Sequence, residues 1–368
     1  MLTFIKREKS LFLSIITIII AKLLAGNPYI GDVGHFGPLT GVVLVFTFLV
    51  IIYTAMGVAR HAERLAEKLG EPYGTMILTL SAVLVEVIMV MTMMLHGDQD
   101  PTVARDTIFS TLMILLNGLI GFTLLFGGLK HGEQRYNIKS SKAFLSMIFI
   151  LVGLGLLLPD LIKPQSYGLF TIFLIVNSIA LYAFFLFMQS GRQSYFFTYR
   201  QNMAPSMEKA HNKTHTNSNI NGLYHAAMLL FTLTAISILA EFFTVAIDDM
   251  IHHFHAPEAL AGLITAIIIL TPEGLTAVRA GLGNDMQRVI NIVLGSSLST
   301  VALTIPAVLL IGHITHKEVL LGLPPIQAGM LIISLLIASI TESTGETNSL
   351  EGLIQLMLFC AFVFTMFI

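Results

Sequence analysis

"LTPEGLTAVRAG", residues 270–281, follows the apolar run "LAGLITAIII" of residues 260–269. A single carboxylate, Glu273, stands between Pro272 and Gly274 inside a stretch that reads as a membrane span. An acid at such depth is costly unless it faces a cavity or a partner. No Lys or Arg lies near the middle of any apolar stretch to pair with it. Proline removes a backbone donor and glycine permits close backbone approach. The sequence therefore predicts a break in the helix that frees a carbonyl beside the acid, as happens where non-helical backbone lines a cavity.

The rest of the chain agrees with a bilayer as solvent. Of 368 residues, 55% are hydrophobic and 11% charged, against about 25% charged in a soluble domain. Mean hydropathy is +0.82. A net charge of −2 offers no nucleic-acid footprint. Cys360 is the one cysteine, which excludes a disulfide within the chain. Apolar windows of about 20 residues predict an all-α integral membrane fold with eleven spans: 10–26, 38–59, 74–95, 103–129, 143–163, 168–190, 222–247, 257–282, 288–312, 319–340 and 350–368. The N-terminal "MLTFIKREKSLFLSIITIIIAKLLAG" is broken by Lys22 and lacks a clean small-residue cleavage site, so it reads as a retained first span.

Lys and Arg set the orientation. With the N-terminus in the cytoplasm, sixteen of the twenty fall inside; only Lys22, Arg105, Lys163 and Lys317 fall outside. That bias predicts a bacterial inner-membrane protein with a cytoplasmic N-terminus and a periplasmic C-terminus. Asp32, Asp98, Asp100, Asp160, Asp248, Asp249 and Glu258 collect in the outer loops. They read as ordinary loop solvation or, more sharply, as a field drawing cations to an outer mouth.

The long polar interruption at 191–221 divides the spans. The expected organisation is an N-terminal helix and loop (1–37), a first five-helix repeat (38–190), a cytoplasmic linker (191–221) and a second five-helix repeat (222–368). Glu86 lies in the second span of the first five, with Asp98 and Ser110 following 12 and 24 residues later. Glu273 lies in the second span of the second five, and Asp285 and Ser297 follow at the same spacings. An odd number of spans per copy forces opposite membrane orientation. Inverted repeats of this kind belong to secondary transporters, whose sites lie at the midplane between copies.

Glu86 and Glu273 are thus the central candidate pair for ion and proton binding. The same two carboxylates hold either protons or a metal ion, but not both well, which is the thermodynamic core of cation/proton exchange. A Ca²⁺ ion takes about six to eight oxygens, and the candidate secondary ligands are Ser110, Ser296, Ser297, Thr271 and Asn117, with Thr79, Ser81 and Thr265 behind them. Glu241 and Asp106 are candidates for a proton path. His252, His253 and His255 read as solvated loop residues rather than zinc ligands. There is no HExxH, GxSxG or Walker sequence, so catalysis of the soluble-enzyme kind has no visible apparatus.

The stretch "VARHAERLAEKLGEPYGTMILTLSAVLVEVIMV", with "ALAGLITAIIILTPEGLTAVRAGLGNDMQRVINIVLGSSLSTVALTIP", resembles the cation/proton exchanger branch of the calcium/cation antiporter superfamily. The resemblance runs from about residue 38 to the end and is specific around the two glutamates. It implies a first helix followed by two inverted repeats of five, with Glu86 and Glu273 binding the cation and exchanging protons. It also implies help from the following serine-bearing helices through Ser110, Ser296 and Ser297. Where relatives often carry Gly-Asn ahead of each glutamate, this chain reads Ala82-Val83 and Ile269-Leu270. An amide ligand is missing there.

The expected function is export of Ca²⁺, with Na⁺ or K⁺ as further cations, against inward H⁺ by alternating access. No cofactor is expected beyond the transported ions. The expected partners are inorganic cations and membrane lipid, with no nucleic acid; association into a homo-oligomer is left open. The alternatives are a monovalent Na⁺/K⁺:H⁺ antiporter, an intramembrane enzyme using the glutamates as an acid/base or metal pair, and a passive channel.

Overall fold

The computed structural model describes residues 8–24, 38–70, 73–96, 101–190, 194–197 and 221–367. Most of the expected linker, and Asp98 of the spacing pattern, lie outside the described residues. The long helices are α1 (Lys9–Leu24), α2 (Pro38–Leu69), α3 (Tyr73–His96) and α4 (Val103–His131), then α5 (Ile138–Leu157), α6 (Tyr167–Ser190) and α7 (Gly222–Phe254). They continue with α8 (Ala259–Leu282), α9 (Met286–Thr315), α10 (Pro325–Thr341) and α11 (Ser349–Thr365). Among the described residues, eight are long and apolar enough to cross a membrane, namely α2 to α9; α10 and α11 are shorter apolar helices. The expectation of an all-α membrane architecture holds. Several boundaries move: α2 and α7 run past the expected 59 and 247, and α10 starts at 325 rather than 319.

Local sequence sets the ends. Asn137, Asn221 and Asp285 each accept a backbone N–H at the start of α5, α7 and α9. Asn348 and Glu351 form a reciprocal capping box at α11. These partners satisfy donors that a helix start leaves orphaned. His255 and His316 close α7 and α9 in the left-handed conformation, with φ of 50° and 55°. His252 and His253, expected in a loop, belong to the last turn of α7.

Among the described residues, three helices carry π-helical turns: Ile114–Leu119 in α4, Gly153–Leu157 in α5 and Thr300–Thr304 in α9. Such turns widen the backbone and concentrate at functional sites. The offset between the two glutamates, 273 − 86 = 187 residues, carries Ile114 onto Val301, within the π turn of α9. The packing repeats with the halves exchanged. Helix α8 packs on α4 as α3 packs on α9, and α11 packs on α4 as α6 packs on α9. One apolar cluster joins α2, α3, α7 and part of α8, and the other joins α4, α5 and α6 to α9 and α10.

Close approach of α4 and α11 depends on glycine. A Cβ on Gly352 would run into the Leu125 backbone nitrogen, and one on Gly121 would sit 2.8 Å from that of Leu356. Small residues at such crossings supply the van der Waals contact that drives helix association in lipid. Helix α1 is tied on differently. Glu8 lies 3.0 Å from His61 Nε2 and accepts from Tyr224, and His61 Nδ1 lies 3.0 Å from His225 Nδ1. A buried polar chain thus links α1 to α2 and α7. The sequence reading did not single it out.

A two-stranded antiparallel ladder, β1 (Gln134–Arg135) with β2 (Glu346–Thr347), joins the α4–α5 connection to the α10–α11 connection.

Candidate functional site

Glu86 is 3% exposed on α3. Its Oε2 accepts from Thr300 at 3.0 Å and from Thr304 at 2.8 Å. Its Oε1 is buried without a partner among the described residues. Glu273 on α8 accepts from Ser296. The two carboxyls are near enough to interact electrostatically. Ser296, Thr300 and Thr304 are spaced at i, i+4 and i+8, so they share one face of α9. Two acids from different halves of the chain therefore hang on successive turns of one helix.

The helix break expected at Pro272 is not there. Helix α8 runs unbroken from Ala259 to Leu282 with Pro272 inside it. Proline still removes one intrahelical bond, the one its N–H would give to Ile268. The irregular backbone beside the acids is instead the π turn of α9, which contains Thr300 and Thr304.

A cavity of about 400 Å³ reaches Glu273 and Ser296. Ser81, Ala82 and Val85 of α3 bring its wall to the side of Glu86. Its other lining includes Glu63, Gln189 and Arg288, at the ends of α2 and α6 and the start of α9. The cavity thus opens at one end of the bundle.

The remaining candidate residues divide. Ser110 is fully buried on α4 and its hydroxyl has no partner among the described residues. Ser297 donates to Val293 of its own helix at 2.8 Å, and Thr271 donates to Ile267 at 2.6 Å. Asn117 sits in the π turn of α4 but donates to Ser334 of α10 at 2.9 Å, away from the glutamates. Asp106 pairs with Arg105 at 2.8 Å and accepts from Thr102 at the start of α4. Glu241 is half-exposed and lies 3.8 Å from His96. Thr300 and Thr304 were missed in the sequence. The signal was there, because stepping by four from Ser296 through "STVALTIPA" lands on both. Among the described residues no group of three or more His, Cys, Asp or Glu is arranged to hold a metal ion.

This arrangement pairs two buried carboxyl groups with neutral hydroxyl donors on one helix. A hydroxyl can turn its lone pairs to a cation and its proton to a carboxylate, so it serves both occupied and protonated forms.

The sodium/calcium exchanger protein family matches residues 7–191 and 224–368. The sodium-potassium/proton antiporter ChaA of Escherichia coli (strain K12) is 33% identical over 363 residues, covering 98% of this chain and 96% of that one. The putative ionic transporter y4hA of Sinorhizobium fredii (strain NBRC 101917 / NGR234) is 35% identical over 309 residues, covering 83% of each. Among solved structures, native YfkE superposes with a TM-score of 0.75 at 16% identity, covering 97% of this chain and 98% of that one.

Proposed function

The chain belongs to the sodium/calcium exchanger protein family, and on that premise we propose that it is a cation/proton antiporter with Glu86 and Glu273 as its shared site. The carrying observation is the hydrogen bonding of both buried acids to consecutive turns of α9 beside a cavity. Two inverted halves, 38–190 and 222–368, build that site between them. The Lys/Arg bias supports a bacterial inner-membrane location with the open end of the cavity in the cytoplasm.

Mechanistically, cytoplasmic cation enters the cavity and displaces protons from the pair. The neutralised site is then exposed to the other side, where the cation leaves and protons return. Coupling follows from competition: a carboxylate oxygen bonded to H⁺ is not a cation ligand. The proton gradient supplies the driving force.

Na⁺ and K⁺ come first as cargo. The Escherichia coli relative, aligned over nearly the whole chain, is a sodium-potassium/proton antiporter. The positions before each glutamate also lack an amide that would add a ligand for a larger coordination shell. Ca²⁺, placed first by the sequence reading, is the second reading, and the paired carboxylates favour it. The test is proton flux in everted vesicles on separate addition of Na⁺, K⁺ and Ca²⁺. A cation that collapses the gradient in wild type and not in Glu86→Gln or Glu273→Gln is a substrate. Flux at wild-type rate in either variant would overturn the proposed site.

A further inference from the structure

The β1–β2 ladder has an outer and an inner face. On the outer face Arg135 and Glu346 pair at 2.9 Å, both about half-exposed. The inner face carries Gln134, Tyr136 and Thr347, all buried. Gln134 stands opposite Thr347 in the register, and Tyr136 donates its N–H to the Gly345 carbonyl at 3.0 Å. Strand alternation puts these three side chains together.

Two helix ends close over that face. Glu342 follows the last residue of α10, is 2% exposed, and accepts through its carbonyl from Ser141 at 3.1 Å. Glu351 and Gln355 lie one turn apart on α11 and so share a face. One Glu351 oxygen accepts from the Asn348 N–H at 3.2 Å. Tyr136, Glu342 and Glu351 are close enough to feel one another's charge.

Both Glu342 carboxylate oxygens and the amide oxygen and nitrogen of Gln355 are buried without a protein partner among the described residues, while the Thr347 hydroxyl bonds Glu351 and the Tyr136 hydroxyl meets the Gly345 backbone. A buried polar atom left without a partner keeps its full desolvation cost. These, on two helix ends beside the ladder, call for something that satisfies them together. All but one are oxygens, and two carboxylates stand among their owners and neighbours. Arg135, the ladder's cation, faces the other way.

We propose that this polar cluster is a second cation site, distinct from Glu86 and Glu273, that takes a hard divalent cation on oxygens of Glu342, Glu351, Tyr136, Thr347 and Gln355. Such ions are satisfied by mixed carboxylate, carbonyl and hydroxyl oxygens. Occupation ties the α4–α5 connection to the start of α11, and so braces the glycine-lined α4–α11 crossing from its end. Burial, then the charge of Glu351, pushes the Glu342 carboxyl up to about 8.

Terbium(III), an oxygen-seeking stand-in for Ca²⁺ that tyrosine sensitises, reads the site directly. The chain has nine tyrosines and no tryptophan. Tyr182 lines the main cavity with Glu273, so the full-length Glu86→Gln/Glu273→Gln protein is used, at near-neutral pH where terbium stays in solution. The expected result is tyrosine-excited emission that Ca²⁺ displaces, falling at least about tenfold on adding Glu342→Gln or Tyr136→Phe. No emission, or emission unchanged by both substitutions, overturns the proposal; the latter marks adventitious surface binding. Should Glu342→Gln fail to elute as a monodisperse protein, Tyr136→Phe decides, because it loses emission only if the ion sits beside that ring. The vesicle assay reads the transport site separately, so a chain that exchanges cations but gives no emission loses this inference alone.

Discussion

Thr304 donates a 2.8 Å hydrogen bond to Glu86 across 218 residues of chain. One helix of the second half thus holds the acid of the first, and the same helix holds Glu273 through Ser296. Any movement of α9 relative to α3 or α8 changes the environment of both acids. That is the mechanical requirement for exposing one site to two sides of a membrane in turn.

Glu86→Gln and Glu273→Gln should each abolish cation-dependent proton flux in everted vesicles while the protein still inserts. The amide keeps shape and an oxygen but cannot ionise. The corresponding Asp variants should retain partial flux, since charge survives and reach shortens by one methylene. Equal membrane amounts of each variant make the comparison valid.

Thr304→Val should raise the cation concentration for half-maximal flux about tenfold. A hydrogen bond to a charged group is worth roughly 1.5–3 kcal/mol, and Thr300 still holds the same oxygen at 3.0 Å. Ser297→Ala should change little, because that hydroxyl bonds its own helix at Val293. Combining Thr304→Val with Glu86→Asp separates loss of this contact from general damage, since effects of contacting residues are not additive. Additive losses would argue against a working Thr304–Glu86 contact.

Glu241→Gln should leave coupled exchange close to wild type. The side chain is half-exposed and lies 3.8 Å from His96, an arrangement worth little at a surface. A loss of coupling comparable to that of Glu273→Gln would restore Glu241 to the proton path.

Gly352→Val should block stable assembly, seen as loss of the monodisperse peak after detergent extraction. The new side chain would collide with the Leu125 backbone, and backbone on both sides prevents a local adjustment. Gly153→Ala is the control, because nothing lies within 4 Å of its added Cβ.

Glu342 gives a pH dependence of stability with a definite sign. Its folded carboxyl is pushed from 4.5 up to about 8. Between those values the folded chain keeps a proton that the unfolded chain has released. Stability therefore falls as pH rises through that window, by an amount on the order of a few kcal/mol. In chelator, Glu342→Gln should flatten the melting temperature between pH 5 and about 8.5 and raise it at the alkaline end. A wild-type profile that rises across this range would refute the assignment.

Much of this protein was already written in its sequence. Twenty-residue apolar windows predict helices because lipid leaves backbone groups no other partner, and nearly every window became one. Glu86 and Glu273 stood out because a carboxylate in an apolar run demands a reason. Their matching distances to Ser110 and Ser297 pointed to two related halves. Other features needed the folded chain. Pro272 and Gly274 read as a helix break, yet neighbouring helices keep α8 continuous, since tertiary packing overrides a local breaker. The π turns of α4 and α9 have no composition signature, because one inserted residue changes backbone geometry and leaves hydropathy untouched. Which hydroxyl reaches which acid depends on helix rotation, and so Asn117 went to Ser334 while Thr300 and Thr304 went to Glu86. The buried polar cluster at Glu342 is assembled from strands of two residues each and two helix ends. No periodicity marks contacts between segments some 200 residues apart; only the tertiary structure brings Tyr136 to Glu342.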